Sequence, residues 1–116
     1  MTSQDIYNKV VKHFLSENYH YDSNGICYDD GTKNLIGCLI PDNKFHKRMN
    51  NLPIRFGFLS EFGLEDLIPH QTFIEDIESA ERYGSGGKNG LAERLIRLAY
   101  FLDLEVPEDL LNYNLL

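Results

Sequence analysis

A chain of 116 residues, 42% hydrophobic and 25% charged, has the length and balance of one globular domain spanning 1–116. A net charge of −7 argues against direct binding of nucleic acid. No apolar run approaches the roughly 18 residues of a membrane span, and no secretory signal opens the chain, so a cytoplasmic protein without membrane contact is expected. The two cysteines, Cys27 and Cys38, accordingly read as free thiols of a reducing compartment.

Residues 3–18 show a helical pattern. Ile6, Val10 and Phe14 recur at four-residue spacing beside Tyr7, Val11 and Leu15. Thr2 and Asp5 stand in capping-box register at its start, and Asn18 offers a left-handed stop. Turn signals follow at Asp22-Ser23-Asn24-Gly25 and Asp29-Asp30-Gly31, with Ile26-Cys27-Tyr28 between them as a short strand. A small β-hairpin near residues 26–40 is expected from this spacing. The apolar run Leu35 to Ile40 fits a buried strand or a helical turn equally, and Pro41 ends it either way.

Between 42 and 68 the pattern is irregular, with Asp42 placed to cap a turn over Lys44–Lys47 and short helical pieces around Leu59, Phe62, Leu64, Leu67 and Ile68. Pro69 suits the first turn of a helix through Tyr83, lined by Phe73, Ile77 and Ala80, with Glu78 and Arg82 in the favourable i,i+4 order. Gly84 to Gly90 reads as a flexible connection. Residues 90–103 carry the strongest helical pattern, through Leu91, Leu95, Leu98 and Leu102, and Pro107 opens a last short helix from Glu108 to Asn112. The expected class is α+β: a mostly helical single domain of four to six helices with the small hairpin.

Charge is distributed unevenly. Residues 1–48 hold six acids and six bases, so the whole excess lies in 49–116. From Glu61 to Glu81 there are seven acids and no Lys or Arg. A solvated helix face is the simpler explanation. The functional one is a surface for a basic partner, carried by Glu65, Asp66, Glu75, Asp76, Glu78 and Glu81. Lys44, Lys47 and Arg48 form the one local basic patch that would suit nucleic acid.

Known catalytic and metal patterns are not met. A phosphate loop needs a strand, a glycine six residues before its Lys and a Ser or Thr after it. Here Lys88 follows a helix, has Arg82 at that position and Tyr83 at the next, and is followed by Asn89. Weak anion binding at that helix start is what remains of the idea. Cys27, Cys38, His46 and His70 lack the close ligand pairs of structural zinc, so no metal and no cofactor is expected. A cysteine-dependent enzyme would need Cys27 or Cys38 beside a His, which spacing alone does not decide. A third reading is a self-association module built on Leu110, Leu111, Leu115 and Leu116, which would make a homodimer.

The segment Gly25-Ile26-Cys27-Tyr28, an Asp-Gly turn and Ile36-Gly37-Cys38-Leu39-Ile40-Pro41-Asp42 resembles a family of small uncharacterised phage and bacterial proteins. The resemblance covers residues 6–45, about a third of the chain, and members often carry Cys where this chain has Asn34. It implies a phage or prophage origin and a bacterial host cell, with no activity attached. Size, charge and resemblance together lead to the expectation of a non-enzymatic accessory protein. It would bind and inhibit a basic host protein, such as a nucleic-acid-handling defence effector, in the manner of anti-CRISPR proteins.

Overall fold

The computed structural model describes residues 1–19, 28–29, 32–50, 52, 54, 57–83 and 86–113. Helix α1 (Ser3–Phe14) starts on the expected box: the Asp5 amide donates to Thr2 Oγ1 at 3.1 Å, and the Thr2 amide to Asp5 Oδ2 at 2.9 Å. The helix ends four residues before the expected 18. The Ser16 hydroxyl and amide both donate to the His13 carbonyl, at 2.7 and 3.0 Å, and so close the last turn. Ile6, Tyr7, Val10, Val11 and Phe14 are buried.

The expected hairpin over 26–40 is not shown. Two-residue stretches, β1 (Tyr28–Asp29) and β2 (Thr32–Lys33), face each other as two antiparallel pairs, and the chain leaves strand geometry at Asn34. The buried Asn34 accepts from the Gly37 amide through Oδ1 at 2.8 Å, and a 3-10 turn (Gly37–Leu39) follows. This side-chain cap gives the backbone a turn in place of a ladder. Leu35, Ile36, Cys38, Leu39 and Ile40 are all buried, which suits an apolar run without period, and the turn packs on α1. Cys27 and the first turn lie outside the described residues.

Pro41 leads into two more 3-10 turns, Asp42–Lys44 and Lys47–Met49. The expected turn over Lys44–Lys47 capped by Asp42 is not formed: Asp42 lies inside the first of these turns, and the second has another cap. His46 caps it, accepting from the Arg48 amide at 3.0 Å, while Asp42 pairs with Lys33 at 3.0 Å. Helix α2 (Phe58–Glu61) is short, and Pro69 falls inside a 3-10 stretch (Glu65–His70) that runs straight into α3 (Gln71–Arg82).

Helix α4 (Gly87–Phe101) begins three residues earlier than expected. Gly86 makes this start: its φ is +92°, and a Cβ there would lie 3.2 Å from the Gly90 Cα. Gly87 to Gly90 are thus helical, not linker. Leu91, Ala92, Leu95 and Ala99 face the core. α4 folds back along α3, with Arg94 Nε donating to the Ala80 carbonyl at 2.7 Å. It is tied to α1 by the buried Tyr7 hydroxyl, which donates to the Leu95 carbonyl at 2.8 Å. Asp103 then takes a left-handed φ of 59°, and the Leu104 amide returns to the Ala99 carbonyl at 2.8 Å, a helix stop usually given to glycine. Helix α5 (Glu108–Leu111) closes on the core through the buried Leu110.

The molecule is mostly helical, with five α-helices among the described residues. Its Cα radius of gyration, 13.4 Å, is that of a compact chain of this length. No helix among the described residues is long and apolar enough to cross a membrane.

Candidate functional site

The six acids singled out in the sequence do not form one surface. Glu81 is 2% exposed, and its Oε2 accepts from the Tyr19 hydroxyl at 2.6 Å and from the Leu35 amide at 3.3 Å. It joins α3 to the turn at 35–40 and is removed from any docking surface. Glu78 is half-buried and accepts from the Ile54 amide at 2.6 Å. Glu75 lies three residues before it, on the same side of α3. Glu65 and Asp66 are exposed, but they line a cavity of about 560 Å3 together with Lys9 and Lys44, over a floor of Leu39, Leu64 and Leu67. Glu61, at the start of the acidic stretch, pairs with Arg48 at 3.5 Å.

Asp76 is differently placed. It lies between two hollows at the α3–α4 contact. One, of about 450 Å3, is walled by Tyr83, Leu98 and Phe101, with Ser79, Ala80, Arg94 and Arg97 completing it. The other, of about 320 Å3, brings Ser3, Pro69, His70, Thr72 and Phe73 against Leu102 and Leu104. The fold therefore places the start of the acidic stretch's helix beside a second base-free segment. Residues 98–116 hold Asp103, Glu105, Glu108 and Asp109 and no Lys or Arg. Asp103 and Glu105 are exposed.

Exposed apolar side chains line the same hollows: Phe101 at 86% and Tyr83 at 64% in the first, and the partly exposed Leu102 in the second. Solvent-facing aromatics beside each other are the kind of feature that marks a contact surface. The two arginines at the groove are engaged within the chain, Arg97 with Glu93 and Arg94 with the Ala80 carbonyl. The surface is held firmly. Gln4 grips the backbone of Glu105 from both sides, donating to its carbonyl at 2.9 Å and accepting from its amide at 2.8 Å. His70 pins the chain start, donating through Nε2 to the Met1 carbonyl at 2.9 Å while Nδ1 accepts from the Ser3 hydroxyl at 3.4 Å. Sequence reasoning missed Asp103, Glu105 and Phe101. The signal available was the lack of any Lys or Arg after Arg97, which gains meaning only when that segment is folded against α3.

The chemical alternatives fare as follows. Cys38 is a free thiol that donates to the Leu35 carbonyl at 2.9 Å, and burial pushes its pKa up to about 12. It shares a cavity with His13, but the His13 Nε2 donates to the Lys33 carbonyl at 2.6 Å. A protonated thiol and an imidazole whose proton is held elsewhere do not make a nucleophile and its base. Cys27 lies outside the described residues. Among the described residues no group of three His, Cys, Asp or Glu side chains gathers to hold a metal. The leucine patch is also altered: Leu110 is buried in the core, Leu111 is partly exposed, and 115–116 lie outside the described residues. In the basic patch, Lys44 Nζ is drawn to the Gly63 carbonyl at 2.8 Å and Arg48 to Glu61.

Comparison with protein families, with curated proteins and with solved structures finds nothing that this chain matches.

Proposed function

We propose that this chain is a non-enzymatic accessory protein, of phage or prophage type, that docks on a basic surface of a host protein and inhibits it. The observation that carries the proposal is the junction of two base-free segments around the exposed Phe101. Asp76, Asp103 and Glu105 supply the charge, Phe101 and Tyr83 the apolar anchor, and Glu65 and Asp66 lie beyond Pro69 and His70 as outlying acids. Charge of this kind sets partner choice and association rate, and a buried aromatic supplies affinity. A partner that handles nucleic acid fits best, because its own groove is lined with Lys and Arg to hold phosphates. The resemblance of residues 6–45 to small phage proteins supports the same reading.

The test is differential capture from bacterial host lysate. Wild-type protein and the Asp76→Lys/Asp103→Lys variant are immobilised side by side, and the retained proteins are compared by mass spectrometry. The expected result is a basic protein retained by wild type, released by salt and lost with the variant. Identical retention by both contradicts the proposal. So does a Phe101-dependent dimer in size-exclusion mass measurements, which would give the aromatic groove to a second copy of the chain.

A further inference from the structure

Among the described residues the acidic molecule carries a concave surface lined by lysines. A cavity of about 330 Å3 beside α1 is lined by Lys9, Lys12, His13, Ser16, Asn18, Lys33 and Cys38. Lys9 and Lys12 stand three apart on one helix face, an arrangement of like charges that weakens a helix slightly. Lys33 reaches the same place from β2 because its amide donates to the Asn18 carbonyl at 3.0 Å, which seats the strand against the end of α1. Lys9 and Lys12 have no hydrogen-bond or ion-pair partner among the described residues. The acid paired with Lys33 is Asp42, whose side chain is 80% exposed, and such a pair contributes little.

Two of the carbonyls at the end of α1, which would repel an anion, are engaged: Ser16 holds that of His13 and the Leu15 amide that of Val11. Burial raises the Cys38 pKa most and Glu81 adds to it, while Lys9 and Lys33 on the cavity wall act the other way. Desolvation depresses the His13 pKa, helped by Lys33 and opposed by its hydrogen bond to the Lys33 carbonyl. The imidazole is thus neutral at pH 7 and available to gain charge when a negative group arrives.

We propose that this cavity binds the phosphate monoester of a small sugar phosphate. Lys9 and Lys12, without a hydrogen-bond or ion-pair partner among the described residues, and Lys33 close by match a dianion better than a single carboxylate. The volume, at the lower end of small-molecule pockets, holds a phosphate and one sugar ring. The site is separate from the docking end, so each can fail without the other.

The probe is ribose 5-phosphate, followed by NMR on the full chain with ribose and inorganic phosphate as comparisons. Ribose 5-phosphate is expected to shift the Ser16, Asn18 and Cys38 amides saturably and to raise the His13 pKa. Ribose is expected to do neither, and inorganic phosphate to bind more weakly. The Lys9→Gln/Lys12→Gln variant, altered only at exposed positions, is expected to fold and to bind about tenfold or more weakly. No saturable shift, an unmoved His13 titration, or equal binding by the double variant overturns the proposal. Equal affinity for inorganic phosphate reduces the site to a bare anion contact and overturns the sugar-phosphate assignment. Tighter binding of a single-stranded oligonucleotide, falling steeply with salt, would assign the lysines to nucleic acid instead.

Discussion

The end of the α3–α4 pair and the cavity beside α1 carry charge in opposite ways. At the first, Asp76 shares a hollow with the exposed Tyr83 and Phe101, the hollow's Arg94 and Arg97 are engaged within the chain, and the exposed Asp103 and Glu105 follow Phe101 in a segment without Lys or Arg. At the second, lysines from α1 and β2 converge on a hollow, where Lys33 is paired with the solvent-exposed Asp42. An acidic surface with exposed aromatic side chains suits another macromolecule, and a hollow lined by lysines suits a small anion. The net charge of −7 describes neither, since the sign that matters is set by which segments the fold brings together.

Glu81 separates the two regions, and its replacement should have the largest effect. Glu81→Ala leaves the Tyr19 hydroxyl and the Leu35 amide without their buried acceptor, a loss of about 2–4 kcal/mol of stability in a denaturant titration. Asp76→Lys, from the same acidic stretch, should change stability by less than about 0.5 kcal/mol. Equal costs would erase the distinction between core and surface acids.

Both regions hang on the α1–α4 strut. Tyr7→Phe removes the hydroxyl bonded to the Leu95 carbonyl and should cost about 1 kcal/mol without changing partner capture or ligand shifts. Asp103→Gly should stabilise the protein by about 0.5–1 kcal/mol, because glycine takes the left-handed φ of 59° without strain. That variant also deletes one docking acid, so a gain in thermal stability with weaker partner capture would sharpen the comparison.

The smallest effect is titration of the lysine cavity. His13 has a folded pKa below its ordinary value of 6.5, chiefly through burial. The unfolded chain therefore binds its proton first. Stability from this group is fully present above about pH 6.5 and declines as pH falls toward the folded pKa. His13→Gln should flatten that part of the stability-against-pH curve relative to wild type, measured by urea titration at pH 7.5, 6.5 and 5.5. An unchanged slope would remove His13 from the account.

Much of the fold can be read from residue patterns. The Thr2–Asp5 box starts α1, and the aliphatic spacing of Phe73 to Ile77 and Leu91 to Leu95 marks α3 and α4. Other features depend on single tertiary contacts. The run 35–40 has no period, and the Asn34 side chain decides that it turns. Gly87 to Gly90 look like a linker because glycine is a poor helix former, yet the Gly86 turn and the close approach to Gly90 begin α4 there. The candidate surface was legible only as excess charge. That Glu81 is buried while the half-buried Asp76 lines the groove follows from Tyr19, Leu35 and Phe101, residues distant in sequence.

Hydrogen exchange of the chain, with and without the partner recovered by differential capture, tests the central claim most directly. The docking account predicts protection confined to residues 72–83 and 98–105, abolished by Asp76→Lys/Asp103→Lys and by Phe101→Ala. Protection confined to α1 and residues 32–38, with no change at the α3–α4 end, would contradict it.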